Sequence, residues 1–281
     1  LRMKKTILVV TLENSLQFRE QRSLLARLCL IWEAQGHVIK VARGIRQALE
    51  ADIAISHIDL TVVPDQYSAF LETYPTTINI KASNISKARI SRNLLTRTDT
   101  YKGEVIVKTA NNYGGVPELI HQRQSGLLQN DMLHQRPWKR VEYMDTNNYP
   151  RFNSIKEVPH GVWQNDKLVV EKFLPEKDAE GNFYLRYWIF LGDKEINVLH
   201  KSQKAIVKDT DHNSRIITGT PDELRTFRKE MGIDFGRIDY GIVDGKAVMY
   251  DVNSTPAAGE NQLNLIGDKL AELAQGFKLY I

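Results

Sequence analysis

The stretch "GRIDYGIVDGKAVMYDVNSTP", residues 236–256, decides the fold, because it reads as two short strands around an Asp-Gly turn. Side chains alternate between the two faces of a strand, so the odd and even positions form two separate sets. The even set is wholly apolar and consists of Ile238, Tyr240, Ile242, Val248, Tyr250 and Val252. The odd set consists of Arg237, Asp239, Gly241, Met249, Asp251 and Asn253. The sequence therefore predicts a hairpin with an apolar floor and a polar face that carries carboxylates.

Whether the odd residues of both strands share one face depends on the turn. A loop of odd length with Gly245 in the left-handed conformation keeps them together, whereas a two-residue turn separates them. The clean division of chemistry favours the odd loop. Asp239, Asp251 and Asn253 then converge as oxygen donors of the kind that Mg²⁺ prefers. The alternative is that these acids are solvated on an exposed sheet face.

The composition limits the class of protein and of partner. The 281 residues are 42% hydrophobic, which is enough for one large domain or two to three small ones. The net charge of +4 comes from 38 basic and 34 acidic residues spread along the chain, which argues against a nucleic-acid partner and suits an anionic ligand. Cys29 is the only cysteine, so no internal disulfide can form and a cytoplasmic location is expected. Because no run of about 18 apolar residues is present, we expect no membrane partner.

The first 80 residues alternate between strand-like and helix-like segments. Residues 6–10, 37–41, 52–60 and 76–80 are typical of strands. A helix is predicted over 15–35, where Leu16, Leu24, Leu28 and Trp32 recur at roughly helical spacing before Gly36, and shorter helices are predicted near 44–50 and 65–73. This alternation predicts a parallel α/β layer.

After residue 95 the pattern becomes that of an α+β protein. Strands are predicted at 104–109, 167–174, 183–193 and 246–253, and their connections are long or hairpin-like. The polar, proline-punctuated segment from about 120 to 160 is interpreted as a loop or lid with some helix. The histidines, among them His121, His134 and His160, are scattered and are interpreted as surface residues.

Three further stretches carry chemistry. "VIVKTANNYGG", residues 105–115, places Lys108 at the end of a strand before a glycine-containing loop, and backbone amides with a neighbouring ammonium can hold phosphate; the alternative is a solvated lysine. "LVVEKFLPE", residues 168–176, could offer backbone groups to a flat base beside Phe173 and Leu174, or be a plain core strand. Arg186 lies in an aromatic strand, so an anionic partner is expected.

Taken in order, these elements resemble the ATP-grasp superfamily over about residues 85–275. The most specific part is residues 232–256, which are similar to the terminal metal-binding hairpin of the family. "VIVKT" resembles the phosphate-binding strand and "LVVEKFL" the hinge that holds adenine. "NISKARISRNLL", residues 84–95, looks like the helix that supplies an earlier lysine, here Lys87.

The resemblance implies a mixed α/β and α+β fold in which two α+β subdomains clamp a nucleotide. A parallel layer over 1–95 would precede a central subdomain over 96–182, with a lid or loop region at 110–160, and a C-terminal subdomain over 183–281. A homodimer is also expected from the family.

The resemblance also assigns roles to residues. It implies that Asp239, Asp251 and Asn253 hold one or two Mg²⁺ ions, with Mn²⁺ as an alternative, and that Arg186 and Arg237 stabilise charge on the transferring phosphoryl group. The residues expected to bind ATP are Lys87, Lys108, Glu171, Lys172, Phe173, Leu174 and Lys208.

Three departures from the family pattern stand out. Asp251 replaces the commoner Glu, and Ala257 follows Pro256 where many ligases have Gly. Tyr184 occupies the position at which an acid often holds ribose in the peptide-ligase branch. The ribose carboxylate therefore stays open among Glu176, Asp178 and Glu180.

The activity that the resemblance implies is that of an ATP- and Mg²⁺-dependent ligase. Such an enzyme joins a small carboxylate to an amine or a peptide through an acylphosphate, by positioning and charge neutralisation without a protein nucleophile. A kinase on the same fold and a non-catalytic nucleotide-binding scaffold are the alternatives. The identities of the acyl donor and acceptor are open.

Overall fold

The computed structural model describes residues 4–15, 18, 23–124, 137–208 and 213–281. It contains three sheets that follow one another along the chain. The mixed α/β and α+β class is the one that the sequence predicts.

The first sheet is wholly parallel. Its strands are β1 (Thr6–Thr11), β2 (Val38–Arg43), β3 (Ile53–Ser56) and β4 (Thr77–Ile78). They lie in the order β2-β1-β3-β4, and the connections contain helices α1 (Leu24–Ala34) and α2 (Asp65–Leu71). The four residues from Ile7 to Val10 are 0% exposed, because β1 is central and both of its faces pack into apolar clusters.

Several predicted boundaries in this layer are wrong for identifiable reasons. Residues 44–50 form no helix, because Gly44 takes a left-handed φ of 73° and its N–H donates to the Thr11 carbonyl at 2.9 Å. The strand predicted over 76–80 stops at Ile78, because Asn79 has a φ of 66° and bonds instead to the backbone of Phe235. The strand predicted over 52–60 ends at Ser56. Helix α1 begins only at residue 24, and residue 16 lies outside the described residues.

The second sheet is antiparallel and has the order β5-β8-β6-β7. Its strands are β5 (Leu94–Leu95), β6 (Val105–Thr109), β7 (Arg151–Phe152) and β8 (Leu168–Lys172). Helices α3 (Lys87–Ile90), α4 (Val116–Gln124) and α5 (His160–Trp163) accompany it. Short 3-10 turns occur at Asn112–Gly115, Trp138–Arg140 and Ile155–Glu157. Residues 125–136, which include His134, lie outside the described residues.

The third sheet has the order β12-β11-β10-β13-β14, and β9 pairs with β10. Its strands are β9 (Glu176–Lys177), β10 (Phe183–Leu191), β11 (Lys194–Ser202), β12 (Asn213–Ile217), β13 (Phe235–Val243) and β14 (Lys246–Asn253). Its helices are α6 (Asp222–Met231), α7 (Glu260–Ile266) and α8 (Leu270–Ala274). Two 3-10 turns lie beside α8, at Gly267–Lys269 and Gln275–Tyr280.

Both faces of the third sheet carry buried apolar side chains on its central strands. One face packs into an apolar cluster that also contains side chains of α1, α8 and the parallel sheet. The other face packs against α6, whose Leu224, Phe227 and Met231 meet Trp188. Helix α6 has acidic residues in its first turn and ends at Gly232, whose φ of 62° places it in the left-handed region. Within the described ranges, no helix is long and apolar enough to cross a membrane.

We expect Trp32→Ala to lower the free energy of unfolding by about 3–5 kcal/mol, because a large buried side chain is lost. Trp32 is 0% exposed, and its indole N–H donates to the Ala274 carbonyl at 3.0 Å across the α1–α8 contact. Leu30→Ala on the same helix is the control, since Leu30 is 50% exposed and its loss should change stability by at most about 0.5 kcal/mol. Urea unfolding measures both. Equal effects would mean that the α1–α8 contact contributes little.

We expect the stability to fall as the pH drops from about 6.5 to about 4, because of His57. Its ring is buried, with Nε2 3.3 Å from the Ser23 hydroxyl, and burial lowers its pKa to about 4. In this window the unfolded chain binds a proton that the folded protein does not, so the loss is up to roughly 3 kcal/mol. In His57→Gln, the midpoint of urea unfolding should change less with pH over this range. The control is His160→Gln, at an exposed histidine, and in it the midpoint should depend on pH as in the wild type. An unchanged pH dependence in His57→Gln would contradict the role given to His57.

Candidate functional site

The hairpin of β13 and β14 closes with a two-residue turn. Val243 lies opposite Lys246, and the residues between them, Asp244 and Gly245, have φ values of 50° and 75°. Two left-handed residues in succession make a type I′ turn, which matches the twist of the strands. The predicted loop of odd length is therefore wrong, and the turn by itself would place the two carboxylates on opposite faces.

A β-bulge beyond the turn reverses this effect. Tyr240 lies opposite Met249, but the next pair is Asp239 opposite Asp251, so Tyr250 is an extra residue in β14. The bulge restores the parity that the turn breaks. Asp239, Asp251 and Asn253 consequently lie on one face, as the sequence predicts, but for a different physical reason.

Between the turn and residue 240, the bulge also means that the predicted assignment of side chains to the two faces of the hairpin is wrong. Met249, placed with the carboxylates by the sequence, packs with Ile242 against the apolar cluster beneath the sheet. Val248 and Tyr250, placed on the apolar floor, line a cavity above the sheet, which Met249 also borders.

Tyr250 fixes a second chain segment to the hairpin. Its hydroxyl donates to the Leu174 carbonyl at 2.9 Å and accepts the Glu176 N–H at 3.2 Å. Burial raises the pKa of the Tyr250 phenol, so the group keeps the proton that it donates. The segment that follows β8 is therefore held against the strand that carries Asp251.

A first cavity, of about 150 Å³, lies between the second and third sheets. The residues that line it include the predicted ATP-binding residues Lys87, Lys108, Glu171, Lys172, Phe173, Leu174 and Lys208, as well as Asp239 and Asp251. At its edge the Lys172 N–H donates to the Asn93 carbonyl at 2.9 Å. Within the described part of the chain, neither the Lys172 carbonyl nor the Leu174 N–H has a backbone partner. One acceptor and one donor at this edge are thus free for a ligand.

Lys108 and Glu171 form an ion pair inside this cavity. The Lys108 Nζ lies 2.7 Å from the Glu171 Oε2, and the two side chains are only 12% and 4% exposed. They come from neighbouring strands, β6 and β8. A buried charge requires a partner, and here each predicted nucleotide-binding residue supplies the partner of the other.

Lys87 is the most deeply buried of the predicted cations, with 2% exposure. Its Nζ donates to Asp251 Oδ1 at 2.7 Å and to Asn112 Oδ1 at 3.0 Å. The Asn112 amide in turn donates to the Val252 carbonyl, so the loop after β6 is anchored to β14. Asp251 keeps its Oδ2 without a hydrogen-bond partner among the described residues.

Asp239 is paired in the same way. Arg237 donates to its two oxygens at 2.7 and 3.1 Å, and the guanidinium lies 3.9 Å from the centroid of the Tyr187 ring. Asn253 lies opposite Arg237, and its Oδ1 accepts the Thr255 N–H at 2.8 Å.

The oxygen donors fit a magnesium site by their chemistry. Two carboxylates lie opposite each other, and an amide oxygen is on the same face. Mg²⁺ typically uses one or two carboxylates and completes its shell with phosphate oxygens and water. In the described ranges, no three His, Cys, Asp or Glu side chains come together as a metal cluster.

The structure does not place Arg186 beside Asp239, Asp251 and Asn253. It lies opposite Tyr240 and hence on the other face of the sheet from Arg237, and it does not line the cavities on either side of Asp239. Its guanidinium donates to both Glu176 oxygens at 2.8 and 2.7 Å, and this hydrogen bonding raises the Arg186 pKa. The anionic partner that the sequence demands for Arg186 is thus Glu176, which also accepts the Ile242 N–H at 2.7 Å.

Of the three acids considered for ribose, two have internal partners. Glu176 is paired with the arginine of β10. Asp178 accepts hydrogen bonds from the Asn182 amide and the Tyr184 hydroxyl, which hold its pKa down at about 2. For Glu180, one long contact of 3.4 Å from the Asn182 amide is present.

A second cavity, of about 590 Å³, meets the first at the two hairpin carboxylates. The residues that line both cavities are Tyr149, Leu185, Val207, Lys208, Asp239 and Asp251. Burial and the charge of Asp251 raise the pKa of Tyr149, so its phenol stays protonated at neutral pH. Sequence reasoning missed Tyr149, because a single tyrosine in a polar, weakly periodic segment carries no pattern.

The glycines after β6 have a packing role. Gly114 and Gly115 have φ values of 66° and 76°, and a Cβ would come within 2.1 Å of the Met144 carbonyl and 2.7 Å of the Glu142 carbonyl. The Met144 N–H also donates to the Gly114 carbonyl at 2.9 Å. Because these glycines have no side chain, the segment around residue 144 can pack against the loop after β6. The same segment contributes Thr146 and Asn147 to the second cavity.

Comparison with known proteins identifies the fold. No model of a known protein family matches the chain, and no curated protein matches its sequence significantly. A RiPP-associated ATP-grasp ligase from Chryseobacterium gregarium, solved with ADP and a leader and core peptide, is similar with a TM-score of 0.58 at 10% identity, over 97% of this chain and 96% of that one.

Two further solved structures agree with this result. A RimK domain ATP-grasp protein from Sphaerobacter thermophilus has a TM-score of 0.50 at 12% identity, over 97% of this chain and 99% of that one. A D-alanine–D-alanine ligase from Bacillus anthracis has a TM-score of 0.50 at 11% identity, over 99% of this chain and 97% of that one. At sequence identities this low, structural similarity shows a shared fold and does not show a shared function. The sheets, the hairpin and these likenesses together establish that the chain has the ATP-grasp fold.

Proposed function

We propose that the protein is an ATP-dependent ligase that activates a carboxylate as an acylphosphate and joins it to an amine. The observation that carries the proposal is the meeting of two cavities at Asp239 and Asp251. A phosphoryl group passing from a nucleotide in one cavity to a substrate in the other would cross at this point. The cations Lys87, Lys208 and Arg237 stand at the same point.

The first cavity suits the nucleotide. The free Lys172 carbonyl and Leu174 N–H can read the edge of an adenine ring, with Phe173 and Leu174 as apolar contacts. The adenine would then lie at the end of β8, as the family resemblance implies. The triphosphate would extend towards Lys108 and the hairpin.

The charges of the site suit a polyanion. Five cations line the two cavities, Lys87, Lys108, Lys172, Lys208 and Arg237, and they exceed by one the four carboxylates of Asp59, Glu171, Asp239 and Asp251. Bound Mg²⁺, held by Asp239, Asp251 and Asn253, would neutralise charge on the phosphate oxygens. Preformed ion pairs hold these side chains in place before the ligand arrives, which lowers the cost of ordering them during the reaction.

The reaction has two steps. A substrate carboxylate oxygen attacks the γ-phosphorus, the bond to the bridging oxygen breaks, and ADP leaves. The amine nitrogen then attacks the acyl carbon, the carbon–oxygen bond to phosphate breaks, and phosphate leaves with the electron pair. The chain's own contribution is to position the reactants, neutralise charge and exclude water, the last through the cover that Thr146, Asn147 and Tyr149 provide.

The test is ATP consumption with Mg²⁺ against a panel of amino acids and small carboxylates. ADP and phosphate together with a hydroxamate, formed when hydroxylamine is added, would support the ligase. ADP with a phosphorylated product and no hydroxamate would point to the kinase, and ATP binding without turnover to the scaffold.

We expect Asp251→Asn to lower ATP turnover by about 10²-fold or more, because a carboxylate at the transfer point is lost while an oxygen remains for Lys87. Asp244→Asn in the turn of the same hairpin is the control, since it removes an exposed carboxylate and asparagine tolerates the left-handed conformation. Circular dichroism should show both variants folded. Normal turnover in Asp251→Asn would rule out its role in metal and phosphate binding.

We expect Tyr250→Phe to weaken ATP binding by about fivefold, because the Leu174–Glu176 segment loses two hydrogen bonds that hold it against the hairpin. Tyr74→Phe is a matched control, since the Tyr74 hydroxyl makes the same pair of bonds, to the Leu49 carbonyl and from the Leu49 N–H, away from the cavities. Calorimetric titration with ATP compares the two variants. Equal affinities would show that Tyr250 does not position the adenine segment.

A further inference from the structure

One carboxylate in the second cavity lacks a positive partner. The acids that line this cavity are Asp59, Asp239 and Asp251. Asp239 is paired with Arg237 and Asp251 with Lys87, whereas Asp59 makes no ion pair within the described part of the chain. Asp59 is exposed to this cavity, so a positively charged ligand there can form a salt bridge with it.

Asp59 lies at the edge of the parallel sheet where ligands bind in folds of this type. It follows β3, beyond the carboxyl end of the strand. The Thr255 hydroxyl donates to its Oδ1 at 2.7 Å, and Thr255 in turn donates from its N–H to Asn253 Oδ1 at 2.8 Å. Asp59 therefore stands within two hydrogen bonds of the proposed metal ligand Asn253, while its Oδ2 has no hydrogen-bond partner among the described residues.

The surroundings of Asp59 add to the demand for a cation. The side chain is open to the cavity, yet the protein around it removes water and raises the pKa of the carboxyl, and the negative charge of Glu118 acts in the same direction. Glu118 accepts the Thr61 N–H through Oε1, and its buried Oε2 has no partner in the described ranges. Glu118 lines a neighbouring cavity, so its charge acts on Asp59 from outside the second cavity.

We propose that Asp59 binds the positively charged amino group of the acceptor substrate in the second cavity. The inference rests on the proposed ligase function and names the side chain that selects the acceptor. A salt bridge to Asp59 would hold the ammonium beside the point where the acylphosphate forms. The ammonium first gives one proton to water, and the nitrogen lone pair then attacks the acyl carbon. The carbon–oxygen bond breaks, phosphate leaves with its electron pair, and the nitrogen gives a second proton to water or to the departing phosphate.

The test compares charged and uncharged acceptors in the variant Asp59→Asn. Asparagine keeps an oxygen that accepts the Thr255 hydroxyl and removes the charge alone. Hydroxylamine, which is uncharged at neutral pH, serves as the acceptor without a cation, and the charged acceptors are the standard amino acids and putrescine. The readout is the ratio of amide to hydroxamate formed with one activated carboxylate.

We expect this ratio to fall at least about tenfold in Asp59→Asn, with a raised KM for the amine. One control should keep the wild-type ratio, since Glu72→Gln removes an exposed acid at the end of α2 that lines neither cavity.

The outcomes separate the inference from the function on which it rests. A wild-type ratio in Asp59→Asn would overturn the inference, and so would a wild type that forms hydroxamate but uses none of the amines. Equal loss of both products would show a merely structural role for Asp59. A wild type that forms no hydroxamate with any carboxylate would instead overturn the ligase function and the inference with it.

Discussion

The candidate site depends on one irregularity in a hairpin. The type I′ turn at Asp244 and Gly245 is the geometry that two twisted strands favour, but its two residues put the carboxylates of β13 and β14 out of phase. The bulge at Tyr250 restores the phase, and the same residue ties the end of β8 to the hairpin. One extra residue therefore aligns Asp239 with Asp251 and fixes the wall of the first cavity. Bulges are common beside functional sites for this reason, since they re-aim side chains without changing the sheet.

A second constraint is electrostatic. Buried charges are costly unless they are paired, and the site meets this requirement with Lys108 and Glu171, with Lys87 and Asp251, and with an arginine for Asp239. The Lys108–Glu171 pair joins two strands of the second sheet and the Lys87–Asp251 pair joins α3 to β14, whereas Arg237 and Asp239 lie on one strand. In the proposed function, a polyanion and a metal ion would take the places of the partners in these pairs. Among the described residues, Asp59 is an acid of the second cavity that makes no ion pair.

The fold narrows the chemistry without selecting the substrates. Structures at 10–12% identity share the arrangement of the sheets, but the second cavity is built largely from the connections between elements, where sequences diverge most. The part of the chain around Tyr149 and the loop after β3 supply much of its wall. In the proposed function, the selection of an acceptor would therefore depend on this chain's own side chains.

The sequence by itself determined the parallel layer, the long strands and the identity of the oxygen donors, because strand periodicity and residue chemistry are local properties. It also required an anion for Arg186 without naming Glu176. Only the tertiary structure decided which face Arg186 occupies, how the turn and the bulge at Tyr250 compensate, and that Tyr149 enters the site. These features arise from register and from contacts between segments more than 60 residues apart, such as Glu176 with the Ile242 N–H. A local pattern holds no information on such pairings, since their free energy exists only once the sheets have packed.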